Sequence, residues 1–262
     1  YRVVSLIKNS IKMNKIKYLL GVLLFTISAN AYAQDTLLQE DVNADTTRSE
    51  IGPNLKHYTH SFIGLGIVVG ADSIGSEINY VRSYDLSFGY RYKARINNFY
   101  AVGADLLYHL SSFSIRQNSN KILPNDSLHN KEKLKFHNLA LGLYNRFNYG
   151  KRGNYLGNYI DAGVQFEWPF SVAHFTKDKY PVATGNNGGV VKTKTSALLF
   201  VKPYYYSAFL RIGFNRYIVT AVYRLTELFV NDPEVYKQYN RGISKYPELP
   251  PLIIGVQIGM FR

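Results

Sequence analysis

His109 and Ser111 stand two residues apart in the run Leu107-Tyr108-His109-Leu110-Ser111. On an extended chain, side chains two apart share a face. The imidazole is therefore placed to take the hydroxyl proton and prepare the oxygen for attack on an acyl carbon. A second set of reactive groups is larger and balanced in charge. Arg91, Arg146, Arg211 and Arg224 are matched by Asp85, Asp105, Asp161 and Glu167, each inside an alternating run, with Tyr144 among them. Such groups either relay protons along a polar path or neutralise one another in a space closed to water. Structural ion pairing is the commoner outcome of the two. If the chain reverses near residues 96–98, Asp85 comes close to His109; if it reverses near 152, Asp161 comes close to Tyr144.

These residues must be held by strands. In Asn158–Phe170, Ile160, Ala162, Val164, Phe166, Trp168 and Phe170 fall on one face, and Asp161, Gly163, Gln165 and Glu167 on the other. Seven further runs divide the same way: Ser61–Gly70, Tyr80–Lys93, Phe99–Ile115, Leu134–Tyr149, Leu198–Phe214, Tyr217–Phe229 and Leu252–Arg262. Period-two alternation is the mark of a two-faced strand. Short connections around Arg95–Asn98, Gly150–Asn154 and Asn215-Arg216 alternate with long ones over 71–79, 116–133, 176–196 and 231–251. That is the layout of an all-β, eight-stranded antiparallel up-and-down transmembrane β-barrel, with short periplasmic turns and long extracellular loops. A soluble barrel of lipocalin type would put Lys and Glu on its polar outer face. Here the basic residues in mid-strand are almost all Arg, and Lys sits in loops and at strand ends. Arg91, Arg146, Arg211, Arg224 and Tyr144 are thus expected to plug the lumen, in a polar network with Asp85, Asp105, His109, Asp161 and Glu167.

Composition agrees. The 262 residues include 23 Tyr, no Cys, and aromatic residues at 15%. Tyr suits the two membrane–water interfaces. The absence of Cys excludes disulfides, thiolate metal sites and Cys nucleophiles. A mean hydropathy of −0.17 argues against a helical membrane protein but not against a barrel, because half of each barrel strand is polar. Net charge is +13, of which five basic residues with no acid fall in residues 1–33. There is no nucleic-acid motif, P-loop or dinucleotide fingerprint, and His57, His60, His129, His137 and His174 are scattered without ligand spacing. No cofactor, metal or nucleic acid is expected.

Met13 opens a basic segment, Asn14-Lys15-Ile16-Lys17, followed by an apolar run from Tyr18 to Ile27 and a small-x-small site, Ala31-Tyr32-Ala33. This reads as a cleaved signal peptide over 13–33, preceded by an upstream extension (1–12) and followed by a flexible periplasmic lead-in (34–57). The barrel is expected over 58–262. The second and third long connections carry Arg116, Lys121, Lys131, Lys133, Lys177, Lys179, Lys192 and Lys194 against Asp126, Glu132 and Asp178. The six lysines from Lys131 onward form a basic outer-loop patch, suited to lipopolysaccharide phosphates or an acidic partner.

The signal segment, the eight Tyr-rich runs and the last strand, Leu252-Ile253-Ile254-Gly255-Val256-Gln257-Ile258-Gly259-Met260-Phe261-Arg262, resemble the outer-membrane β-barrel families, and most nearly the PorT-like barrel family of Bacteroidota-type bacteria. The resemblance covers roughly Tyr58 to Arg262. It implies a structural or partner-binding role in the envelope, in some members in secretion assemblies. It also implies that Phe261 is a C-terminal assembly signal read by the barrel-assembly machinery. Here Arg262 follows that residue, and Phe261 falls on the Gly255/Gln257/Gly259 face. The expected partners are outer-membrane lipid, lipopolysaccharide, the assembly machinery and other envelope proteins. Two alternatives stand beside this reading. One is a narrow channel. The other is a lipid A-modifying acyl hydrolase using His109 and Ser111, because lipid A deacylases are eight-stranded barrels with a similar His-x-Ser; here Ser112 follows where an Asn is expected.

Overall fold

The computed structural model describes residues 52–150, 155–179, 189–196, 198–230 and 246–260. The upstream extension, the signal peptide, the lead-in as far as residue 51, and Phe261 with Arg262 lie outside the described residues.

Among the described residues nine strands form: β1 (His57–Val69), β2 (Tyr84–Arg95), β3 (Tyr100–Ser114), β4 (Lys131–Tyr149), β5 (Asn158–Lys179), β6 (Val190–Ser196), β7 (Tyr205–Phe214), β8 (Tyr217–Arg224) and β9 (Leu252–Met260). Every pairing is antiparallel. The order runs β4-β3-β2-β1-β9-β8-β7-β5, and a β4–β5 pairing closes the ring. Eight strands thus make a barrel without edges. The ninth, β6, pairs with the far end of β5, beyond the point where β7 leaves it.

The structure differs from the sequence expectation in several places. β6 was expected to be loop. Tyr80–Arg82 is a single 3-10 turn rather than the start of β2. β7 begins at Tyr205 and not near Leu198, because Pro203 has no N–H to give a ladder. β8 ends at Arg224, and the following residues turn inward so that Leu228 and Phe229 are buried.

The alternation now has a physical meaning. Leu65, Leu141 and Val256 are 59, 53 and 51% exposed, with Leu106, Leu143, Val164, Leu210 and Ile258 around the same wall. A soluble protein does not leave so broad an apolar band open to water. Along β4 it runs from Leu139 to Phe147, and with the aromatic residues flanking it the band matches the ~25 Å apolar height of an outer-membrane barrel. On the β3–β7 side two aromatic groups line its outer margin, Tyr108, Trp168 and Phe170 with His137, and Tyr204 and Tyr206 with Phe166. Phe99, Tyr100 and Phe147 cluster near the short-turn margin.

At the outer mouth the long connections build a core of their own. Ile78, Leu123, Leu198, Phe200, Leu228, Phe229, Tyr246 and Leu249 meet Phe113, Leu134, Phe136 and Val172 from the strand ends. Phe200 and Tyr246 lie 4.8 Å apart between ring centres, and the Tyr246 hydroxyl donates to the Pro124 carbonyl at 2.7 Å. Fully buried side chains of this size each contribute roughly 1.5–3 kcal/mol, so the loops close into a lid. At the opposite end Gly52–Lys56, the end of the lead-in, is held as a turn. Lys93 donates to the Pro53 carbonyl at 2.5 Å, and Arg95 to the Asn54 carbonyl at 2.7 Å.

Two glycines let the interior fill. Tyr159 is paired with Gly213 across β5 and β7, and Tyr144 with Gly103 across β4 and β3. A Cβ on Gly213 would stand 2.1 Å from the Tyr159 ring, and one on Gly103 2.3 Å from the Tyr144 hydroxyl. Tyr159 has no room to retreat, being fully buried beneath Arg146. Gly213→Ala is therefore expected to destabilise the barrel by about 1–3 kcal/mol, the usual cost of overpacking. A lowered urea midpoint in lipid vesicles would be the readout; an unchanged midpoint would refute the fit.

Candidate functional site

The lumen is crossed by one chain of ionic contacts. On β2 and β3, Arg91 and Asp105 are direct cross-strand partners, with Arg91 Nε 3.0 Å from Asp105 Oδ1. Arg91 also donates to Gln257 Oε1 on β9 at 2.9 Å. From the far wall, Arg211 on β7 donates to the other oxygen of Asp105, and its Nε lies 3.3 Å from Asp161 on β5. Asp161 in turn accepts two hydrogen bonds from Arg146 on β4, at 2.7 and 2.8 Å. Gln257, Arg91, Asp105, Arg211, Asp161 and Arg146 thus bolt six strands together through the interior. All of these side chains are buried. The flat guanidinium faces are covered as well: Arg91 lies 4.3 Å over Phe62, Arg146 3.6 Å over Tyr159, and Arg211 4.3 Å over Phe209. Such stacking is why Arg serves here and Lys would not.

Above this chain, His109 sits between two carboxylates. Its Nδ1 is 2.9 Å from Asp85 and its Nε2 2.9 Å from Glu167. Ionised carboxylates only accept, so the ring that satisfies both carries two N–H groups. Three guanidiniums and one imidazolium then face Asp85, Asp105, Asp161 and Glu167, a network matched in charge. Ser111 donates to Asp85 at 2.6 Å, while Ser207 and Gln165 donate to Glu167. A cavity of about 60 Å³ lies between this cluster and the lid, lined among others by Asp85, Ser111, Tyr205 and Thr220. That is room for a few water molecules.

Asp85 meets His109, as the first turn placed it. Asp161 meets Arg146 rather than Tyr144, whose cross-strand neighbour is Gly163. The β4–β5 register lies two residues from the expected one, so Arg146 takes the place of Tyr144 opposite Asp161. The Tyr144 hydroxyl donates instead to the Tyr92 carbonyl at 2.9 Å. Arg224 leaves the lumen network altogether. It reaches into the lid, where it donates to the Leu249 carbonyl at 2.5 Å and lies 3.3 Å from Glu248. Glu248 also accepts from the Leu228 and Phe229 amides. Phe261 lies outside the described residues.

His109 and Ser111 are adjacent, at 3.3 Å, but they are not arranged as base and nucleophile. Both imidazole nitrogens face carboxylates, and the hydroxyl gives its proton to Asp85. Both residues are buried in the interior, away from the lipid wall.

Lys131, Lys133, Lys177, Lys179, Lys192 and Lys194 are on strands, not in loops, because β4 and β5 continue past the apolar band and β6 joins them. The alternation Val190-Val191-Lys192-Thr193-Lys194-Thr195-Ser196 carried the signal for β6. A further buried group went unanticipated. Glu132, on the opposite face, is 2.8 Å from Lys121 and 2.6 Å from His174, and accepts from Gln117 at 2.7 Å. Burial alone would raise the pKa of Glu132, but hydrogen bonds from His174, Lys121 and Gln117 outweigh it and hold the pKa below the usual range. Among the described residues no cluster of three or more His, Asp or Glu side chains is arranged to hold a metal ion.

A closed ring with an apolar wall, aromatic margins and a charge-paired interior defines a transmembrane β-barrel of the outer-membrane kind. Among solved structures the chain is similar to Ail, the attachment invasion locus protein of Yersinia pestis, at 9% identity and a TM-score of 0.33, over 78% of this chain and 95% of that one. It is similar also to Ail in complex with the heparin analogue sucrose octasulfate, at 9% identity and a TM-score of 0.28, over 77% and 94%. No protein-family model matches the sequence, and no curated protein matches it. The eight-stranded closure therefore stands on the chain's own register.

Two predictions follow from the buried charges. Asp105→Ala strands Arg91 and Arg211 without their shared carboxylate and is expected to cost about 3–5 kcal/mol, read as a lowered urea midpoint in vesicles; a loss under about 1 kcal/mol would contradict the shared role. Glu132→Ala is expected to open the outer end of β4 and β5 to trypsin while the lipid-embedded barrel stays resistant. Acid should do the same to the wild type. The contribution of a carboxylate with a lowered pKa is full above the unfolded value near 4.3 and is lost as pH falls through the folded value. A lowered amide-exchange protection factor at the outer end of β4 in the variant, and in the wild type only below about pH 4, would check both.

Proposed function

We propose that this chain is a non-conducting barrel of a Gram-negative outer membrane, exported by its signal peptide, whose outer surface binds partners in the cell envelope. The observation that carries this reading is the transluminal chain from Gln257 through Arg91, Asp105, Arg211 and Asp161 to Arg146. It occupies the space through which a solute would pass, and buried pairs of this kind are costly to separate. The lid above it and the Gly52–Lys56 turn below add two further closures. With transport disfavoured, the surface outside the membrane is what remains to act. The PorT-like resemblance extends the proposal to a place in a secretion assembly, with the barrel as its membrane anchor.

The ion pairs at Arg211 count against a narrow channel, and the two carboxylates on His109 count against an acyl hydrolase. The test is conductance. Purified protein inserted in planar bilayers is expected to give no stable current steps at moderate voltage; reproducible open steps would overturn the non-conducting reading.

A further inference from the structure

Beyond the membrane, β4, β5 and β6 form a three-stranded blade, with β6 as its last strand. Directly opposed residues on neighbouring strands point to the same side. Lys131 pairs with Lys177 and Lys177 with Lys192; Lys133 pairs with Phe175 and Phe175 with Lys194; Lys135 pairs with Ala173, and Lys179 with Val190. Seven lysines therefore share one face of the blade. The two carboxylates of these strand ends, Glu132 and Asp178, are on the other face, engaged by Lys121 and His174 and by His129. Among the described residues none of the seven lysines has an ion-pair partner. Lys135 and Lys194 lie 4.9 and 5.6 Å from the Phe175 ring centre, and Lys133 lies 5.8 Å from that of Tyr84.

Two features make this more than solvated charge. The first is the row Lys131, Lys177, Lys192, three ammonium side chains abreast on strands about 4.8 Å apart. Like charges directly opposed destabilise a sheet, and among the described residues no carboxylate on that face relieves them. The second is position. Along β4 the same face passes without interruption from Leu143, Leu141 and Leu139 through His137 to Lys135, Lys133 and Lys131. The lysine face is the upward continuation of the lipid-facing wall, just past the ring of Trp168, Phe170 and Tyr108. Lys135 lies four residues above Leu139, which at strand rise and barrel tilt is about 10 Å above the apolar edge. Lysine stems bend toward an interface, so the lowest ammonium groups reach headgroup level.

We propose that this face docks the phosphate groups of the lipid leaflet in which the barrel stands, namely the diphosphorylated lipid A headgroups beside β4–β6. The proposal rests on the outer-membrane reading above, with the long connections outward. Phosphates enter between the lysine rows and relieve the repulsion across Lys131, Lys177 and Lys192, while Phe175 keeps Lys135 and Lys194 aligned. The blade then stands upright because the leaflet holds it, and the lid beneath it is steadied from outside.

The test uses the full chain in neutral detergent micelles, titrated with diphosphoryl lipid A, monophosphoryl lipid A and a soluble sulfated polysaccharide. Diphosphoryl lipid A is expected to bind most tightly and the monophosphoryl form more weakly, with both losing affinity as salt rises. The triple variant Lys131→Gln, Lys177→Gln, Lys192→Gln should lose on the order of tenfold or more. Heat-modifiable migration in gels shows that the variant barrel is folded, and Lys133→Gln with Lys194→Gln provides a second, milder variant. Unchanged lipid A affinity in both folded variants overturns the proposal. So does a soluble polysaccharide that binds through the same lysines while lipid A binds no better than a neutral lipid. Conductance of the wild type is independent of this result, so failure here and failure of the non-conducting reading are told apart.

Discussion

The rest of the molecule depends on the cost of placing charge where water cannot follow. An isolated guanidinium in the closed interior would lose hydration worth several kcal/mol. Arg91, Arg146 and Arg211 are tolerated because two aspartates are divided among them and aromatic rings cover the faces the aspartates leave open. Asp105 is the key member, since it binds an arginine of its own wall and one from the opposite wall. That single carboxylate ties the two sides of the barrel together, and it explains why the inward positions of β2, β3, β4, β5 and β7 carry the residues they do.

Much of this was open to inspection in the sequence because a membrane barrel has only two environments. Every strand residue faces either lipid or lumen, and alternation reports which. The inward direction of Asp85, Arg91, Asp105, His109, Arg146 and Arg211 follows from it. Partnership does not, because it depends on register. The β4–β5 register lies two residues from the expected one, which was enough to exchange Tyr144 for Arg146 as the neighbour of Asp161. Arg224 was misplaced for another reason. It stands where β8 ends, and its partners Glu248 and Leu249 come from a connection whose path alternation does not describe. β6 was missed because its residues are exposed on both faces, so no apolar half marks it as a strand.

The outer half follows a different economy from the membrane half. Inside the bilayer the apolar side chains point out and the polar ones in; above it the same strands turn apolar side chains such as Leu134 and Phe136 inward to the lid and lysines outward. β5 makes the transition at a bulge beside Pro169, where the pairing skips from Asn138–Pro169 to His137–Ser171. Without that extra residue, Ser171, Ala173, Phe175 and Lys177 would turn to the other side, and the lysine rows would be broken up.

The Tyr159–Gly213 and Tyr144–Gly103 contacts bear on how the barrel reaches its final form. A slip of two residues between neighbouring strands keeps every side chain on its proper side, so the bilayer itself does not distinguish the slipped barrel from the native one. Rings and glycines do. Slipped by two, Tyr159 would face Arg211 or Asn215 in place of Gly213, and its ring would have nowhere to lie. The glycines thus act as a proofreading code for strand alignment, one that rejects near-correct barrels during assembly and is written on the face that lipid never touches.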